Sequence, residues 1–133
     1  RDSSTSRGLG DVYKRQALIA HAMALPSIVF DEVDTGVSGE IADKMAGIMR
    51  EMAECMQVIS ITHLPQVASL GQTHYRVYKS DTETSTATHL IKLSEKERIE
   101  EIARMLSGSS LTAAALDNAR ELLKRNDLKD GKK

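Results

Sequence analysis

The chain has 133 residues, 41% of them hydrophobic and 28% charged, with a formal net charge of −1. This is one domain's worth of chain, or a piece of one, and no apolar run is long enough to span a bilayer. The single cysteine, Cys55, excludes an intramolecular disulfide framework, fits a reducing cytoplasm and reads as a small buried hydrophobe.

The first sixteen residues, RDSSTSRGLGDVYKRQ, carry neither a helical nor a strand period. Ser6 to Gln16 back-translates into a stretch resembling a transposase-type sequencing adapter read through in frame. Residues 1–16 therefore read as a non-native, disordered scar that adds nothing to the fold, with more native chain expected upstream of Ala17. With its four basic and two acidic residues set aside, from totals of 18 and 19, the remainder carries 14 basic against 17 acidic residues. That balance gives no electrostatic footprint for nucleic acid.

ALIAHAMAL, residues 17–25, is helix-forming and stops at Pro26, which disfavours helix in the residue before it. SIVF then predicts a short strand buried on both faces, because its apolar residues run continuously. Residues 38–54 predict a helix whose Ile41, Met45, Ile48, Met49 and Met52 share one apolar face. QVISIT predicts a second buried strand, followed at once by His63, and Pro65 suits the first turn of a short helix over 65–70. Strand, helix, strand and helix in alternation are the pattern of a parallel sheet wrapped by helices. HYRVYKS and STATHLIKL, alternating on either side of the polar DTET, predict an antiparallel hairpin that finishes the same sheet. Two helices close the chain. Ser94 with Glu97 forms a capping box ahead of Ile99, Ile102, Ala103 and Leu106, and Gly108 offers a stop. Thr112 caps the second, whose inner face is Ala115, Leu116, Ala119, Leu122 and Leu123, and residues 128–133 read as a solvated tail. The fold class is α/β, a mixed sheet with packed helices.

The stretch SIVFDEVDTGVSGE concentrates the chemistry. A buried strand there delivers Asp31 and Glu32 to the carboxyl edge of a parallel sheet, where open α/β folds place their ligands. Two desolvated carboxylates side by side call for compensation, which Mg²⁺ with nucleotide phosphates would supply. Strand alternation would turn Asp31 and Glu32 to opposite sides, one toward a metal's shell and the other toward a water. His63 reaches the same edge from the second strand and can donate to a phosphoryl oxygen. His21, His74 and His89 lack metal-ligand spacing and read as structural.

An apolar strand, Asp-Glu, an Asp-containing loop, then strand and His resemble the Walker B, D-loop and switch histidine of ABC-type ATPases. More closely, FDEVDTGVSGEIADKM, QVISITHLPQVASLG, HYRVYK and EIARMLSGSS resemble the C-terminal part of the RecN family of bacterial DNA repair proteins, relatives of the SMC proteins. The resemblance covers nearly all of residues 17–123. It implies that residues 17–127 are part of an ABC/SMC-type ATPase head binding ATP and Mg²⁺, with Asp31 toward the metal, Glu32 on the attacking water and His63 sensing the γ-phosphate. Asp34, Thr35, Gly36, Ser38 and Gly39 would form a loop meeting the opposite head of a homodimer. It implies action on DNA breaks in the bacterial cytoplasm, at the nucleoid, with no membrane partner. Gly36 and Gly39 also suit a loop that approaches another backbone or takes positive φ. The chain contains no G-x-x-x-x-G-K-[ST] phosphate loop and no Ser-Gly-Gly signature, so it holds the hydrolytic half of such a site. Another ABC-type ATPase subunit, a non-catalytic dimerisation module and a free-standing Mg²⁺-dependent phosphohydrolase are the alternatives.

Overall fold

A computed structural model describes residues 11, 12, 14–16, 18, 19, 25–33, 35–37, 39–108 and 110–130. The chain forms two compact units, one through Leu70 and one from Gly71 onward, where its length suggests a single domain. Of the expected scar, Asp11, Val12, Lys14, Arg15 and Gln16 are helical rather than disordered, and all are exposed, as are the helical Leu18 and Ile19. Helix needs only local backbone bonds, so it can form here without the apolar face that the sequence lacks. Leu25 and Pro26 lie outside any helix, and His21 falls outside the described residues.

In the first unit, β1 (Ser27–Asp31) and β2 (Gln57–Ile61) form a parallel pair, joined through helix α1 (Glu40–Ala53) and followed by the short α2 (Pro65–Ala68). Ser27 pairs with Gln57, Phe30 with Ser60 and Asp31 with Ile61. Paired residues share a face of a sheet, so Ile28 and Phe30 look toward one side together with Val58 and Ser60. That side is the core: Phe30, Ala42, Met45, Met49 and Met52 are buried in one cluster, with Ile28, Ile41, Ile48 and Val58 packed on it. The methionine stripe of α1 is thus the lid of the sheet. Cys55, expected to be buried, is exposed, because it lies in the turn just past the end of α1 and not on that stripe.

The other face is open. Val29 is 57% exposed, Ile59 45% and Ile61 48%, which corrects the expectation of strands buried on both faces. A continuous apolar run signals two buried faces only when something covers the second, and in this unit α1 covers one.

The second unit is a hairpin and two helices. β3 (Tyr75–Asp81) and β4 (Thr86–Lys92) pair antiparallel in register, Tyr75 with Lys92 and Asp81 with Thr86. Thr82 closes the turn, its N–H donating to Ser85 O at 2.8 Å and its hydroxyl accepting from Ser85 N at 3.1 Å. Among the described residues the strands make two sheets of two strands each, not one mixed sheet. A tight turn lets β3 and β4 satisfy each other locally, and nothing in their alternation specifies which outer edge would extend another sheet.

Helix α3 (Glu95–Ser107) starts with the expected capping box: Ser94 N donates to Glu97 Oε2 at 2.8 Å and Glu97 N to Ser94 Oγ at 3.3 Å. Gly108 ends it at φ 79°. Ala115 N donates to Thr112 Oγ1 at 3.1 Å at the start of α4 (Ala113–Asp130), which runs three residues into the expected tail because no helix breaker precedes Gly131. The two helices pack through Ile102, Ala103, Ala115 and Ala119, all buried, and the small residues let the backbones approach. Leu106, expected in this core, is 41% exposed, so the apolar stripe of α3 extends past the face that is covered.

His74 precedes the hairpin and donates nothing through its buried Nδ1, while its carbonyl accepts from Leu93 N at 2.9 Å. Burial holds its imidazole below the ordinary value of 6.5, the Arg98 guanidinium lowers it further, and Glu101 acts in the opposite sense. The folded state therefore binds fewer protons here than the unfolded state, so this contribution to stability is complete above 6.5 and is lost as pH falls. Denaturant midpoints should decline as pH falls below about 6.5, and His74→Gln should flatten that decline. An unchanged pH profile in His74→Gln would show that other groups carry it. Ser94→Ala should cost about 1 kcal/mol through loss of the cap, read as a lower midpoint for the second unit.

Candidate functional site

The ladder brings the singled-out residues to one edge. β1 ends at Asp31 and β2 ends at Ile61, its partner, so Glu32 and His63 both emerge beyond the same end of the sheet. Asp31, Glu32 and His63 are all exposed, which corrects the expectation of a desolvated carboxylate pair: among the described residues the sheet has two strands, and its end projects into solvent. None of the three side chains is paired with another. Asp34 and Ser38, expected in the loop, lie outside the described residues.

Glu32 is not a strand residue. Its φ is 49°, the single positive φ at a non-glycine among the described residues. The alternation that would send Asp31 and Glu32 to opposite sides therefore stops at Asp31, and the direction of residue 32 is set by its own left-handed backbone. For an L-residue that conformation costs roughly 1–2 kcal/mol through Cβ–carbonyl crowding. Two anchors maintain it: Glu32 N donates to Ile61 O at 2.9 Å, and Glu32 O accepts from Thr35 Oγ1 at 2.8 Å and Thr35 N at 3.3 Å. Thr35 thus turns its hydroxyl onto its own chain. The strain, a non-glycine at positive φ, is the feature sequence reading missed; a threonine three residues after the glutamate was its only local signal.

Gly36 and Gly39 sit at φ 78° and 59°, as the loop chemistry suggests. A Cβ at either would meet nothing within 4 Å, so conformation and not close approach is what glycine supplies there. Gly39 is also the residue before α1, where Val37 tucks into the core and ties the loop to the sheet. On the β2 side, Leu64 N donates to Thr62 Oγ1 at 3.0 Å and Ala68 N to Leu64 O at 3.0 Å, fixing the turn that carries His63 into α2.

Among the described residues no group of three or more His, Cys, Asp and Glu could enclose a metal. Asp31 nonetheless suits a hard cation that keeps most of its water and leans on one or two carboxylates, the manner in which Mg²⁺ is held beside phosphates. No described helix is long and apolar enough to cross a membrane.

Fold and site describe an α/β chain that presents two carboxylates and an imidazole at the carboxyl end of a parallel strand pair. Comparison with known proteins makes the class specific, although no family model matches. The chain is 42% identical over 108 residues to the DNA repair protein RecN of Haemophilus influenzae, across 81% of this chain and 19% of that protein. It is 46% identical over 101 residues to RecN of Rickettsia conorii, across 76% and 18%. RecN of Halalkalibacterium halodurans is 38% identical over 108 residues. The chain is a homologue of the RecN proteins and spans about a fifth of the length of these relatives.

The strain at residue 32 has a direct test in stability. Glu32→Gly should relieve the left-handed penalty while adding unfolded-state freedom, for a net gain of about 0.5–1 kcal/mol. A loss of stability on chemical denaturation would mean that the glutamate side chain makes a compensating contact.

Proposed function

We propose that the chain is the part of a RecN-like, SMC-like ATPase head that carries the hydrolytic half of its nucleotide site, serving recombinational repair of DNA double-strand breaks in the bacterial cytoplasm. The observation that supports this most is Glu32 held in a strained conformation at a strand end beside Asp31, because such strain persists where the neighbouring structure and a function require it. The DNA repair proteins named RecN supply the biological setting.

In this reading Mg²⁺ and the ATP phosphates bring charge neutralisation and a polarised phosphorus to the sheet edge. Asp31 would hold the ion, which would supply the charge neutralisation. Glu32 orients the attacking water and takes its proton, and His63 donates to the γ-phosphoryl oxygen. The loop of Asp34, Thr35, Gly36, Ser38 and Gly39 faces a second head, so that two heads enclose ATP as a homodimer, with DNA bound elsewhere in the longer protein. Transporter-type ATPase subunits and non-catalytic dimerisation modules are the competing readings, and the open face of Val29, Ile59 and Ile61 favours the latter of the two.

The chain alone should hydrolyse ATP only at background, since it lacks the phosphate-gripping loop and lysine. The decisive test is a chimera in which the matched 108 residues replace their counterparts in the Haemophilus influenzae relative. Glu32→Gln should retain ATP binding and lose turnover by about 10²–10⁴-fold, with the heads remaining associated in sedimentation with ATP. Asp31→Asn should instead raise the Mg²⁺ concentration needed for turnover. Parental turnover in Glu32→Gln, or equal loss of ATP binding in both variants, would overturn the assignment.

A further inference from the structure

We propose that Thr35 is a positioning residue for Glu32, setting the direction of the carboxylate from behind through the backbone; the inference rests on the ATPase reading of the site. Residue 32 is held at both ends of its peptide frame. Its N–H is tied across the sheet to Ile61 O at 2.9 Å, and its carbonyl accepts the Thr35 hydroxyl at 2.8 Å. Between those anchors φ is driven to 49°, a region an L-residue leaves when released. The companion bond from Thr35 N is longer, at 3.3 Å, so the hydroxyl is the closer of the two restraints on the carbonyl.

In a left-handed residue Cβ projects on a different side of the backbone from that of an extended one. Release of the carbonyl would therefore swing the whole carboxylate away from the place where it meets water, without altering its charge or size. Thr35 would touch neither phosphate nor metal in this role. Its loss should then lower kcat and spare the KM for ATP, the mark of an interaction realised at the chemical step. Ser at 35 retains the hydroxyl and should behave as the parent, whereas Val keeps the shape and loses the donor.

Two measurements separate this inference from the reading beneath it. In the isotope-labelled chain as it stands, three-bond couplings and cross-correlated relaxation report the sign of φ at residue 32. The parent and Thr35→Ser should show positive φ, and Thr35→Val should lose it; retention of positive φ in Thr35→Val overturns the proposal. In the chimera, Thr35→Val should lower kcat about 2- to 10-fold, the range expected for one solvent-accessible hydrogen bond, with Thr35→Ser restoring it. If Glu32→Gln abolishes turnover while Thr35→Val matches the parent, the positioning role is wrong and the ATPase reading stands. If Glu32→Gln turns over normally, the ATPase reading fails and the role assigned to Thr35 fails with it.

Discussion

Everything at the candidate site depends on the register of the β1–β2 ladder. Asp31 opposite Ile61 places both strand ends level, and the bond from Glu32 N to Ile61 O extends the ladder one step past the strand. A slip of one residue would turn Phe30, 3% exposed, out of the core and bring Val29 or Asp31 beneath α1. The methionines of α1 therefore do more than fill volume. By accepting Ile28 and Phe30 on one side they select the register that carries the carboxylates and His63 to a common edge. Site geometry is here a consequence of core packing one strand-length away.

The parts of the structure that were legible in the sequence are those whose cause is local. The apolar face of α1 follows from spacing alone, and its predicted members Met45, Met49 and Met52 are buried. Ser94 with Glu97, and Thr112 ahead of Ala115, cap their helices because capping needs only residues three apart. The hairpin followed from alternation on both sides of a polar turn, and the positive φ of Gly36 and Gly39 from residue type. Both strands that carry the site were also legible as strands, which is why Asp31, Glu32 and His63 could be placed at one edge before any geometry was known.

What escaped the sequence depends on distant partners. Val29, Ile59 and Ile61 are as apolar as Ile28 and Val58, and no pattern within the strands distinguishes the covered side from the open one. That distinction belongs to α1, whose own stripe is wide enough for one face only. The separation of hairpin and parallel pair into two sheets is equally non-local, since a strand's composition does not name the edge it joins. Glu32 combines both difficulties. Its left-handed backbone is set jointly by a carbonyl on β2 and a hydroxyl in the following loop, and glutamate is not a residue type that announces positive φ.

The exposure of Asp31 and Glu32 changes the electrostatic account of the site. Buried together, adjacent carboxylates would need a permanent cationic partner to fold at all. In water, two like charges about 4 Å apart repel by only about 1 kcal/mol, which the chain tolerates without any partner. Under the proposed function the expensive step is thereby postponed from folding to binding: the carboxylates lose water only when phosphate, metal and a second head arrive, and those same groups provide the compensation. A site arranged in this way can fold before it is loaded. The backbone at Glu32 serves the same order of events, because Ile61 O and Thr35 Oγ1 hold its N–H and carbonyl beforehand, so that only side-chain rotamers, and not backbone states, are left to be selected at the moment of enclosure.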